Sequence, residues 1–179
     1  MAFGQRTRRP YPTKDNPIKK WMTVQHAKKR IMDYVAKRDH SEKELRQKLK
    51  LYAEAEIIDQ AIIWAKEQNW LSEPDVLKLK FADQLHRRGK GIRSINQKLK
   101  NKGLPTVKSD FETEVIKARK LVRAKWSADD FQGLVFKDSQ KLKAKIMRFL
   151  IARGYELEIV QDILKKEFKA GVLPHDEEF

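Results

Sequence analysis

Arg30 to Lys50 reads RIMDYVAKRDHSEKELRQKLK, and the chain repeats the pattern twice, as KFADQLHRRGKGIRSINQKLK from Lys80 to Lys100 and KIMRFLIARGYELEIVQDILK from Lys145 to Lys165. Aligned without a gap, the copies put Ile31, Phe81 and Ile146 in one column and Val35, Leu85 and Leu150 in a second. Leu45, Ile95 and Val160 make a third, and Leu49, Leu99 and Leu164 a fourth, while Arg38, Arg88 and Arg153 recur at the polar break between them. Apolar residues four apart on both sides of a short polar break are what two amphipathic helices joined by a tight turn require. One hairpin cannot bury its own apolar face, so the pattern predicts an all-α protein of elongated tandem repeats, each a helix-turn-helix hairpin plus a closing helix.

The flanking residues set the expected boundaries. Residues 1–22 hold three prolines and an excess of positive charge with no apolar period, which predicts a basic disordered tail. The first unit is expected over 23–72, with helices at about 23–37, 42–51 and 55–68. Ser41 and Glu44 form a capping box at the start of its second helix. Ile58, Ile62 and Ala65 face inward from the third, Trp64 belongs to the core, and Trp70 with Leu71 pins the following turn. The second, basic unit is expected over 73–127, opening at Pro74, turning at Gly89-Lys90-Gly91 and stopping its second helix at Gly103. Ser109 and Glu112 repeat the capping box, and Phe111, Val115, Ala118 and Val122 form the inner face of the helix that closes this unit. A third repeat is expected over 128–168, with its own third helix not visible, followed by an acidic tail over 169–179.

With 179 residues the chain suits one domain or a few small bundles. It has no cysteine, so disulfides and Cys-based metal sites or nucleophiles are excluded. The absence of a long apolar run or a secretory signal adds to the expectation of a cytoplasmic protein without membrane contact. Of the formal net charge of +15, residues 76–109 carry most, with ten Lys or Arg against Asp83 alone. Residues 25–75 balance ten against ten, so the charge is concentrated as expected of a polyanion contact rather than spread for solubility.

Arg87, Arg88, Lys90, Arg93, Lys98, Lys100 and Lys102 are the candidate binding residues, with nothing nearby to neutralise them. Gly89-Lys90-Gly91 at the head of a helix offers free amides to an anion, although the same glycines suit a plain turn. Arg38 and Arg153 suit a helix C-terminus as well as a ligand. Tyr52, Trp126 and Tyr155 are the aromatic residues available for base stacking. Catalysis finds little support, which leaves a small helical enzyme the weakest reading: His26, His40, His86 and His175 stand at no triad or metal-ligand spacing, and neither Asp129-Asp130 nor Asp176-Glu177-Glu178 alternates like a calcium loop. No cofactor, metal or small-molecule substrate is expected.

Several of these stretches together resemble the RecX family, bacterial modulators of the RecA recombinase. They are the run Ser41 to Leu49, the turn Gly89 to Ile92, the helix end Leu99 to Leu104, and Arg148-Phe149-Leu150 followed by Arg153-Gly154-Tyr155. The resemblance covers about residues 25–168. It implies a regulator without catalytic activity that binds in the groove of the RecA filament on single-stranded DNA. Growth of the filament, ATP hydrolysis, strand exchange and coprotease activity would be restrained, and the protein is expected to be a monomer. Two features depart from the family pattern. Glu73-Pro74-Asp75-Val76-Leu77 stands where the family usually has an acid shortly before an Arg-Phe pair, and the tail before Met22 lies outside the resemblance. A free-standing helix-turn-helix protein reading nucleic acid is the alternative. No second helix, however, starts with an evident base-reading set of Asn, Gln and Arg.

Overall fold

Each repeat forms its hairpin with the apolar columns turned inward. In the computed structural model, which describes residues 22–131 and 134–169, the helices are α1 Val24–Val35, α2 Glu42–Leu49, α3 Ala55–Glu67, α4 Pro74–Arg87, α5 Ile92–Asn101, α6 Phe111–Lys125, α7 Phe136–Arg153 and α8 Leu157–Lys169. A single 3-10 turn, Ala128–Phe131, interrupts the stretch before α7. The described residues contain no strand, and contacts divide the chain into two units at Ser72 and Glu73. The expected tails lie outside the described residues except at their inner ends. Met22, expected to end the first tail, is buried and donates its amide to the Tyr52 carbonyl at 3.1 Å.

In the first unit, α1, α2 and α3 enclose Ala27, Ile31, Leu45, Leu49, Ile58 and Ile62. The capping box is present: Ser41 Oγ accepts the Glu44 amide at 3.2 Å, and Glu44 Oε2 accepts the Ser41 amide at 3.1 Å. Trp64, expected in the core, is half-buried, with Trp70 edge-on at a centroid distance of 4.9 Å and Lys28 Nζ 5.0 Å from its ring centre. The polar surface of α2 and α3 is laced by Glu42, Arg46, Asp59 and Lys66. Hydrogen bonds from Lys66 and then Arg46 hold the Glu42 carboxyl below its ordinary range.

The second unit contains two apolar clusters. Leu77, Ala82, Leu85, Ile95, Leu99 and Leu104 join α4 to α5. Val115, Ala118 and Val122 of α6, expected to close that pair, instead share a buried cluster with Ile146, Leu150, Val160 and Ile163 of α7 and α8. The third hairpin's unseen third helix is therefore α6, which precedes it in the chain. The physical reason is that α6 carries a second tie to α8: Glu167, 8% exposed, pairs with Arg119 Nε at 3.1 Å and Arg123 Nε at 3.2 Å.

The start of α6 also differs from expectation by one residue. Asp110, rather than Ser109, is the N-cap, and its carboxylate accepts the Thr113 amide at 2.7 Å. That bond, with the Thr113 side chain, holds Asp110 below the ordinary carboxylate range. Phe111, expected on the inner face with Val115, Ala118 and Val122, is 43% exposed at the first position of the helix.

Candidate nucleic-acid interface

Ile92, Ile95 and Leu99 lie on one stripe of α5 and are buried, so Arg93, Lys98 and Lys100 are left on its exposed surface. Arg87 and Arg88 at the end of α4 are exposed, and Lys90 and Lys102 are half-buried. The fold thus brings all seven candidates onto α4, α5 and the turn between them. The sequence predicts that nothing neutralises them, and the structure differs at two of the seven. Arg87 pairs with Asp83 at 2.8 Å, an exposed i,i+4 pair, and Lys102 Nζ lies 4.1 Å from the centre of the Phe81 ring. Among the described residues, Arg88, Lys90, Arg93 and Lys98 have no acidic partner. The far end of α5 is held by Asn96, whose side chain donates to the Val107 carbonyl and accepts the Val107 amide, both at 2.9 Å.

The head of α5 corrects the expectation of an open anion site. Its N-cap is Gly91, which supplies no side chain, and the first amides are used within the protein. Gly91 N–H donates to the Arg153 carbonyl at 2.9 Å, and Arg93 N–H to the Gly154 carbonyl at 3.1 Å. Ile92 N–H donates to Glu114 Oε2 at 3.0 Å. A carboxylate placed there is what the positive end of the helix dipole favours, so Glu114 occupies the position a phosphate would take.

Close approach of the two turns depends on glycine. A Cβ at Gly91 would lie 2.6 Å from the Gly154 carbonyl and the Tyr155 nitrogen, and a Cβ at Gly154 would lie 2.4 Å from Ser94 Cβ. Gly154 also has φ +87°, a left-handed conformation that favours glycine. Arg153 joins the same contact through an N–H bond to the Arg88 carbonyl at 3.3 Å, with its guanidinium 4.5 Å over Phe149. Arg38, at the corresponding place in the first unit, bonds its neighbour's carbonyl and Glu44.

Glu114 is 1% exposed, and it also accepts from Ser109 Oγ at 3.2 Å and meets Lys117 Nζ at 3.4 Å. Lys117 Nζ lies 3.0 Å from His86 Nδ1, an arrangement that needs the neutral imidazole at that nitrogen. Burial, and then the Lys117 charge, lower the His86 pKa. The Tyr155 hydroxyl is pushed up to about 12 by burial and by the Glu114 charge. Sequence reasoning missed Glu114; its signal was an acid on the apolar stripe beside Val115 and Ala118, whose purpose only the approach of α5 reveals.

The aromatic candidates separate cleanly. Tyr155 is 1% exposed and has no face to offer, which removes it. Tyr52, in the first unit, is half-buried with the Arg30 guanidinium 4.8 Å over its ring. Trp126 is half-buried, edge-on to Phe149 with ring centres 5.3 Å apart. Among the described residues, no three His, Asp or Glu side chains converge to hold a metal, and no helix is long and apolar enough to cross a membrane.

Known proteins resemble this chain. The model of the first three-helix domain of RecX matches residues 27–63, and that of the third matches residues 112–164, the span of α6 to α8. A regulatory protein RecX of Acinetobacter baylyi is 35% identical over 138 residues, covering 74% of this chain and 82% of its own. One from Escherichia coli is 33% identical over 151 residues, covering 75% and 87%. The crystal structure of RecX from Lactobacillus salivarius superposes with a TM-score of 0.63 at 16% identity, over 82% of this chain and 97% of that one, a likeness of fold.

Proposed function

The chain belongs to the RecX family of regulatory proteins, and from that premise we propose that it binds the RecA filament on single-stranded DNA and restrains it. The restrained activities are filament growth, ATP hydrolysis, strand exchange and coprotease action. It works in the cytoplasm as a monomer, without a catalytic step, cofactor or small-molecule substrate of its own. The observation that carries this reading is the cluster Arg88, Lys90, Arg93 and Lys98, held on a fixed turn and helix with no acidic partner among the described residues. Such a surface suits phosphates, or an acidic face of the filament. The stretch 25–75, whose charges balance ten against ten, suits protein contact.

The occupied head of α5 argues against a free-standing helix-turn-helix reader. A recognition helix presents its first turn to base edges. Here that turn lies against Glu114 and the α7–α8 turn.

The test is ATP hydrolysis by RecA on single-stranded DNA with the protein titrated in and bare-DNA binding followed alongside. Inhibition well below one molecule per recombinase, while bare DNA stays mostly free, is the expected result. Changing Arg88, Lys90, Arg93 and Lys98 together to Glu should abolish inhibition with helicity unchanged, and should flatten the salt dependence of DNA binding. Inhibition that only tracks occupancy of bare DNA would sink the filament-specific reading and leave general DNA binding.

A further inference from the structure

We infer that Trp126 and Phe149, with Lys125 and Arg153, form a base-stacking station continuous with the basic turn, so that one single strand is gripped by its phosphates and its bases together. The inference rests on the reading above and adds to it the chemical form of nucleic acid that the surface selects. Trp126 at the end of α6 and Phe149 on α7 meet edge to face at 90°, and both rings are half-buried, anchored in the α6–α8 core with part of each surface open. Lys125 Nζ stands 4.9 Å from the Trp126 ring centre and 4.4 Å from that of Phe149. Arg153 stacks 4.5 Å over Phe149 and bonds the Arg88 carbonyl at 3.3 Å. An unbroken line of contacts therefore runs from Trp126 through Phe149 and Arg153 to Arg88, the first of the cations without an acidic partner.

Cations interleaved with aromatic faces are the arrangement single strands use, because an unpaired base has an open π-face and its phosphate lies one side-chain length away. A duplex turns its base faces toward their stacked neighbours and has none to offer. On binding, the Lys125 ammonium can leave the indole face for the phosphate of the incoming nucleotide, so the cation keeps an anionic partner while the ring gains a base. Among the described residues, the other half-buried aromatic pair, Trp64 with Trp70, belongs to the unit whose charges are balanced. Phe81 lies under Lys102 and packs with the α4–α5 core.

The test compares two fluorescein-labelled strands of equal length and charge, oligothymidylate and a fully abasic strand, binding to the full chain by anisotropy at one salt concentration. The expected result is about tenfold tighter binding of thymidylate, the scale of a single stacked base. Trp126→Leu with Phe149→Leu keeps apolar bulk and removes the π-faces, and should erase the preference while the melting temperature shows a folded chain. Equal affinity of the wild-type protein for the two strands overturns the inference even if the variant does not fold, as does a preference that survives in a folded variant. Binding of the abasic strand in that case leaves the phosphate contact of the earlier reading intact. If neither strand binds and RecA is still inhibited, the stacking station is wrong while the filament reading stands; loss of both overturns both.

Discussion

The turns before α2 and before α5 occupy the same place in the repeat, and they are held in opposite ways. Before α2, Ser41 and Glu44 exchange two hydrogen bonds within four residues, so the turn carries its own cap. Before α5 the equivalent residue is Gly91, and the caps come from Glu114, Arg153 and Gly154. The local cap satisfies the start of α2 without a bond from any other element. The remote caps make the basic turn a property of the whole second unit, and they exclude solvent anions from its amides. Lysine and arginine side chains, not a backbone nest, are left to meet a phosphate.

The contrast is broken most severely at Gly154. Gly154→Ala brings a Cβ against Ser94 and forces a left-handed residue, so the second unit should lose about 3 kcal/mol or more, read as a lower urea midpoint for that unit. Glu114→Ala should cost about 2–3 kcal/mol, since it strips the Ile92 amide and Ser109 of a buried acceptor. Glu114→Gln, which keeps an acceptor, should recover part of the loss. Ser41→Ala, the matching change at the local cap, should cost about 1 kcal/mol. Equal losses from Glu114→Ala and Ser41→Ala would mean that the two caps do not differ in kind.

Acid provides the gentlest test. His40 and His86 each have a folded-state pKa below the unfolded value, with burial the first cause in both. Their contribution to stability is present above the unfolded pKa of about 6.5 and is lost as pH falls through the folded value. Both units should therefore weaken between about pH 7.5 and pH 5.5. Lys117→Met removes the charge facing His86 and should reduce the acid loss in the second unit alone, as read from unfolding midpoints at the two pH values.

The hairpins were legible because their signals are local: apolar residues four apart, a polar break, and Gly103 or Gly154 after the last turn. Helix α6 was legible as a helix but not in its allegiance, because Val115, Ala118 and Val122 would suit either neighbour. The deciding pair, Glu167 with Arg119 and Arg123, joins residues far apart in sequence. The cap of α6 was misplaced by one residue because Ser109 and Asp110 both offer an oxygen, and Ser109 turns instead to Glu114. Of the candidate site, the exposure of Arg93, Lys98 and Lys100 followed from the stripe of Ile92, Ile95 and Leu99. The pairing of Arg87 with Asp83 was readable from their i,i+4 spacing, whereas the closed head of α5 depends on side-chain geometry that no spacing encodes.

The bond from Arg153 to the Arg88 carbonyl joins residues 65 apart, and that separation has a meaning during synthesis. Arg88 leaves the ribosome well before the residues that hold it, whereas the first hairpin closes with contacts already made. Long-range closure is entropically slow, so the basic turn should be the late step of folding. A nascent chain would thus carry its densest positive charge unlocked, with the Gly91, Ile92 and Arg93 amides still open, until the α7–α8 turn arrives and shuts them.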